Sequence, residues 1–99
     1  MADYYASGNW HVKKGNEKDF VERWTDFLQW TRKDHPGLHN ATLIQDSEDK
    51  SHFVSTSEWE SADARAAWKQ SPEFAQKFQA ARELCDEMTA IDAERRVTI

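Results

Sequence analysis

The chain of 99 residues has a single cysteine, Cys85, so no intrachain disulfide can staple it. Three glycines and two prolines are few enough to read as local punctuation, and no linker, repeat or low-complexity tract is present. No apolar run approaches the roughly 18 residues that a membrane-spanning helix requires. The start, Met1-Ala2-Asp3, lacks the basic-then-apolar stretch of a secretory signal. A cytoplasmic location without a membrane partner is therefore expected. An excess of basic charge is missing too: 13 Lys and Arg stand against 18 Asp and Glu, a formal net charge of -5. That balance argues against nucleic acid as a partner, because phosphate binding needs a basic surface. The length predicts one domain, 1–99, with a modest core that oligomerisation would help to support.

Aromatic rings, by contrast, are abundant. Five Trp and five Phe must find cover in a core, a pocket or a subunit interface. Their spacing predicts the elements. Tyr4 to Val12 reads as a strand, with Gly8 marking a bulge or a close backbone approach. After the turn Lys13-Lys14-Gly15, Asn16 is expected to cap a helix running to about His35. Its apolar stripe is Phe20, Val21, Trp24, Phe27, Leu28 and Thr31, with Trp30 off the stripe, and Pro36-Gly37 ends it. His39 to Asp46 and Ser51 to Glu60 read as a hairpin around a polar turn. Ser61 caps a short helix with Ala64, Ala67 and Trp68. Ser71 caps another, with Pro72 at its first position and a stripe of Phe74, Phe78, Ala81, Cys85 and Met88. Asp92 to Ile99 is expected to close the chain as a fourth strand.

The order βαββαβ, with its second helix broken in two, predicts an α+β, ferredoxin-like fold: a four-stranded antiparallel sheet with helices on one face. The other face would then expose Trp10, Val54 and Leu43 or Ile44, a patch that a second copy could bury sheet against sheet. A homodimer is expected on that ground.

Few residues carry recognisable chemistry. No phosphate-binding glycine loop, Gly-x-Ser-x-Gly or Cys-x-x-Cys occurs. His35-x-x-x-His39 has a metal-like spacing, but it straddles Pro36-Gly37 without a neighbouring Cys or further His and reads as a solvated loop. Cys85 lies on a helix stripe and reads as a buried structural residue. The strands are more informative. Ser7, Asn9 and His11 share one face of the first strand; Ser55, Ser57 and Trp59 share one face of the third. If both faces look toward the helices, a polar patch lies beneath aromatic side chains, the usual form of a small-molecule site. Alternation equally allows these groups to satisfy one another, or the opposite face to be the inner one.

The residues Gly8-Asn9-Trp10-His11-Val12, Phe20, Trp24, Pro36-Gly37, Phe53-Val54, Glu58-Trp59-Glu60-Ser61, Ala67-Trp68 and Ser71-Pro72-Glu73-Phe74 together resemble the antibiotic biosynthesis monooxygenase domain family. The resemblance runs from about Tyr4 to Val97. It implies a dimeric α/β barrel of ferredoxin-like subunits. It also implies a range of activities, from oxygenation of anthrones or hydroquinones with dioxygen and no cofactor to heme degradation, and fold does not choose among them. Heme-degrading members use an Asn on strand one, a Trp ending strand three and a His iron ligand on the last helix. Asn9 and Trp59 match the first two, but Phe78 stands at the ligand position and cannot bind iron. Polyketide-oxygenating members keep the Trp, with an Asn four residues before it and a Tyr six residues after it. Those positions hold Ser55 and Arg65 in this chain.

The expected function is thus oxidation of a small aromatic phenol, anthrone or quinol by dioxygen, without metal or organic cofactor. The expected catalytic set is His11 as base, Asn9 as amide donor and Trp59 as aromatic wall and N–H donor. Ser7, Ser55, Ser57, Trp24 and Phe78 are the expected substrate-binding residues. Each has a plainer reading as well: Trp59 as core packing at a strand end, His11 as an ordinary sheet-edge histidine. The alternative function is a non-catalytic dimeric barrel that binds a small ligand or serves as a stress or accessory protein; heme degradation stands last.

Overall fold

The computed structural model describes residues 3–99. Its order is β1 (Tyr4–Val12), α1 (Glu17–Asp34), β2 (Leu38–Gln45), β3 (His52–Trp59), α2 (Ala62–Gln70), α3 (Pro72–Arg82) and β4 (Cys85–Glu94). The strands form one antiparallel sheet in the order β2-β3-β1-β4, the ferredoxin-like arrangement that the sequence predicts. No helix among the described residues is long and apolar enough to cross a membrane.

Local signals account for most boundaries. The Ser61 hydroxyl accepts the Ala64 N–H at 3.0 Å and opens α2; Ser71 does the same for Phe74, with Pro72 following it in α3. Gly15 takes the turn before α1 with φ 96°, a left-handed conformation that a Cβ would strain. Asn16 occupies the N-cap position, but its side chain makes no capping bond, contrary to expectation. Glu17 secures this end of the helix instead. Its carboxylate accepts the Gly15 N–H at 3.0 Å and the Ser51 hydroxyl at 2.7 Å, tying the turn to the start of β3. Trp30, off the apolar stripe, donates its indole N–H to Asp34 and lies over Phe27.

Two further expectations need correction. The fourth strand is Cys85–Glu94, not Asp92 to Ile99, and α3 ends at Arg82. Cys85 and Met88, read as a continuation of the helix stripe, lie on β4. A three-residue spacing suits a helix, yet it also fits a strand with a bulge, and β1 against β4 shifts register between His11 and Val12. The ladder to β1, with Thr89 and Ile91 as good strand formers, decides in favour of the strand.

The second correction concerns the faces of β1. Tyr4, Gly8 and Trp10 pair with Trp59, Ser55 and Phe53. Directly paired residues share a face, so Ala6, Gly8, Trp10 and Val12 look toward the helices beside Phe53, Ser55, Ser57 and Trp59. Trp10 is 1% exposed and belongs to the core, not to the open face. Ser7, Asn9 and His11 point the other way. Burying an indole, Val12 and Ala6 outweighs burying three polar side chains.

The core is largely a ring assembly. Trp10 contacts Phe20, Trp24 and Phe78 with centroids 5.4, 4.9 and 5.1 Å away. Phe27 contacts Trp24, Trp68 and Phe74, and Trp68 lies 4.8 Å from Trp59. Edge-to-face and tilted pairs of this kind add to the burial of apolar area. The buried Arg65 clamps α2 to the sheet: its guanidinium donates to the carbonyls of Tyr5 at 2.7 Å and Ala93 at 3.1 Å.

Candidate functional site

Beneath α1, α2 and α3, the inner face of the sheet leaves a cavity of about 170 Å³. Trp24, Phe27 and Leu28 of α1 form one wall, Trp68 of α2 with Phe74 and Phe78 of α3 a second, and Ala6, Gly8, Trp10, Ser55 and Ser57 the floor. The local causes are legible. The helical period of α1 turns Trp24, Phe27 and Leu28 inward together. Strand alternation does the same for Ser55 and Ser57. Gly8 is required by close approach: a Cβ there would lie 2.7 Å from Trp10 Nε1 and 3.0 Å from Ser55 Oγ.

Polar groups are few and organised in pairs. Trp10 Nε1 donates to Ser55 Oγ at 3.1 Å, and Trp59 Nε1 donates to Ser57 Oγ at 2.9 Å. Trp68 Nε1 donates to Thr31 Oγ1 at 3.0 Å, and that hydroxyl donates to the Phe27 carbonyl at 2.8 Å. Each indole is thereby fixed in orientation. Because Ser55 and Ser57 accept from indoles, their own protons stay available to donate. Trp24 Nε1 differs: it is buried and has no acceptor. Lys69 is the only lining residue with an acidic or basic side chain, and it is paired with Asp92.

Of the residues expected at a site, Ser55, Ser57, Trp24 and Phe78 meet at this cavity. Ser7 also borders it, but strand alternation sends its side chain to the opposite face, so it contributes main chain. Trp59 is fully buried behind the wall, where it orients Ser57 and packs on Trp68. Its indole N–H is engaged by Ser57, so it is not the free donor anticipated. Asn9 and His11 stand on the open face. There Asn9 Oδ1 lies 2.8 Å from His52 Nε2, and the His11 and His52 rings stack at 4.8 Å. Asp46, 3.1 Å from His52 Nδ1, is held below its ordinary pKa by the Glu48 backbone N–H and then by His52. The proposed common patch of Ser7, Asn9, His11, Ser55 and Ser57 is therefore split by the sheet.

Sequence reasoning missed Trp10, Phe74 and Trp68 as lining residues. Phe74 and Trp68 were legible as apolar stripe positions, whereas Trp10 needed the correct face of β1. Arg65 does not reach the cavity but holds the sheet edge, and burial raises the Cys85 thiol above its usual pKa. No group of three or more His, Cys, Asp or Glu able to hold a metal occurs among the described residues.

Comparison with known proteins agrees with this architecture. SnoaB, a cofactor-independent oxygenase from Streptomyces nogalater, superposes in an asparagine-to-alanine variant with a TM-score of 0.90 at 18% identity, covering 100% of this chain and 98% of that one. Unsubstituted SnoaB gives 0.85 at 20% identity, covering 99% and 98%. A conserved protein from Methanosarcina mazei gives 0.86 at 16% identity, covering 97% and 95%. At these identities the likeness establishes the fold. No curated protein matches by sequence. The family model for antibiotic biosynthesis monooxygenases matches residues 4–81, from the start of β1 into the last turn of α3, which contain every side chain that walls the cavity except Ala90 on β4. By that match the chain belongs to the antibiotic biosynthesis monooxygenase family.

Proposed function

We propose that this protein is a cytoplasmic, cofactor-independent monooxygenase that oxidises a small aromatic phenol, anthrone or quinol with dioxygen. One observation carries the reading: a cavity walled by aromatic rings holds two serine hydroxyls, each with one lone pair engaged by the indole of Trp10 or Trp59 and its proton free to donate. Such a site stacks an aromatic substrate and donates hydrogen bonds to its oxygen. Membership of the family and the activity named for SnoaB support the same direction.

The chemistry balances without an external reductant. A hydroquinone and dioxygen give a hydroxyquinone and water, the substrate supplying all four electrons. The substrate anion passes one electron to dioxygen, the resulting radical and superoxide join as a carbon-bound peroxide anion, and this takes a proton from solvent to become the hydroperoxide. Loss of the proton on that carbon breaks the O–O bond, leaving a carbonyl and releasing hydroxide that becomes water. In this reading Ser55 and Ser57 bind the charged oxygen, Trp24 and Phe78 hold the ring, and Trp59 positions Ser57. Asn9 and His11 take no part inside the cavity. They belong to the open face, where Ile44 and Ile91 are 57% and 62% exposed and where a second copy packs in the proposed homodimer.

A second reading, ligand binding without chemistry, is favoured by the lack of a free acid or base on the lining. Dioxygen uptake separates the two. Metal-free protein is mixed with a panel of hydroquinones and anthrones, with Phe78→Trp alongside to fill the cavity. Uptake well above autoxidation, lost in folded Phe78→Trp, is expected. Binding of the panel without any uptake would leave the second reading.

A further inference from the structure

Resting on the oxygenase reading of this same cavity, we infer that its ligand is a single aromatic ring bearing an ionised oxygen, and that Trp24 Nε1 is a donor to that oxygen. Size comes first. The cavity of about 170 Å³ barely exceeds the roughly 150 Å³ of an apolar cavity that accepts benzene, and lies below the ~300 Å³ at which pockets for drug-sized molecules begin. A fused three-ring anthrone would leave part of its framework outside the mouth of the cavity.

The polar inventory gives the charge. The chain has five indole N–H groups; Trp10, Trp30, Trp59 and Trp68 donate to Ser55, Asp34, Ser57 and Thr31. Trp24, 6% exposed and part of the cavity wall, has a buried N–H with no acceptor. A buried donor left unmade is costly, and in native structures such a group calls for a role. Ser55 and Ser57 add two hydroxyl protons that donate to no described group. The cavity therefore offers donors and no carboxylate or imidazole to take a proton. A low-dielectric site with three unspent donors favours an anionic oxygen, which accepts all three bonds, over a neutral hydroxyl, whose own proton must compete for the second lone pair of a serine that already accepts from an indole. The ring thus binds already ionised, its proton left in solvent.

The probe is 4-nitrophenol, whose phenol and phenolate forms absorb at different wavelengths. It is titrated with protein at a pH where the free compound is mostly neutral. Binding is expected to raise the phenolate band, and Trp24→Phe to weaken this binding about tenfold. Affinity for toluene, which has no oxygen, should change less than about twofold. In the unsubstituted protein, one of the indole N–H resonances should move far more than the others on adding nitrophenol and stay in place with toluene. That reading survives even if Trp24→Phe folds poorly. A bound spectrum of neutral phenol, equal losses for both ligands, or an anthrone displacing the probe would each overturn the inference. Oxygen uptake with an anthrone but no nitrophenolate binding would leave the oxygenase reading intact. Nitrophenolate binding with no uptake from any hydroquinone would do the reverse.

Discussion

Gly8→Ala tests the floor of the cavity directly. The added methyl would sit 2.7 Å from Trp10 Nε1 and 3.3 Å from Trp10 Cε2, against an ordinary contact of 3.4 Å or more. The indole would have to withdraw by about 0.7 Å. It has little room, since Trp10 is 1% exposed and wedged against Phe20, Trp24 and Phe78. Overpacking of this kind costs about 1–3 kcal/mol. Losing the bond to Ser55 adds about 1–3 kcal/mol, because the N–H is then buried without an acceptor. A less flexible unfolded chain returns about 0.4–1 kcal/mol. The expected net loss is about 2–4 kcal/mol, a fall in melting temperature of roughly 10–30 °C for a domain of this size. The decisive comparison is the same substitution in a Trp10→Leu background, where the side chain stops one bond short of Nε1. There only the Ser55 hydroxyl, 3.0 Å from the added methyl and free to rotate, must give way, so Gly8→Ala should cost less than about 1 kcal/mol, as read by thermal and urea unfolding followed by circular dichroism. An equal cost in both backgrounds would refute the proposed clash.

Ser57→Ala should cost about 1–3 kcal/mol by leaving the fully buried Trp59 N–H without an acceptor. Trp59→Phe should then cost less in that variant than in the unsubstituted protein; simple additivity in urea unfolding would contradict the pairing. Arg65→Ala should lose about 2–3 kcal/mol and speed hydrogen exchange where β1 meets the end of β4, since two carbonyls lose a charged donor. A loss below about 0.5 kcal/mol would show that solvent already serves them. Glu17 is held below its ordinary pKa chiefly by the Ser51 hydroxyl, Asp46 by the Glu48 N–H and then His52, and Glu73 by its own backbone N–H and then Ser71. The unfolded chain binds protons at these groups more readily, so their stabilisation is complete above the ordinary carboxylate values. It is lost as pH falls through the lowered ones. The urea midpoint should drop on acidification through that window, and a rise would contradict the assignment. Cys85 is buried, its thiol pKa raised by desolvation, so iodoacetamide should react with the native protein about a hundredfold more slowly than with the urea-unfolded chain. Equal rates would mean the thiol is accessible.

Much of this architecture is written locally. Ser61 and Ser71-Pro72 mark helix starts because a hydroxyl beside a free backbone N–H acts within one turn. The α1 stripe and the alternation of Phe53, Ser55, Ser57 and Trp59 are equally short-range, so Trp24, Ser55, Ser57 and Phe78, which line the cavity, could be named as candidates from the sequence. Three features were out of reach of such signals. Whether Cys85 and Met88 continue a helix or begin a strand depends on pairing with β1, more than seventy residues earlier in the chain. Which face of β1 turns inward depends on what the helices cover: both faces carry aromatic and small residues, and burying Trp10 decides it. The state of each indole N–H is likewise a matter of what lies opposite in space. Propensity, capping and periodicity act between neighbours along the chain and so are determined by sequence alone. Burial, strand pairing and hydrogen-bond satisfaction join residues far apart, and only the tertiary structure put Asn9 and His11 on one side of the sheet and the cavity on the other.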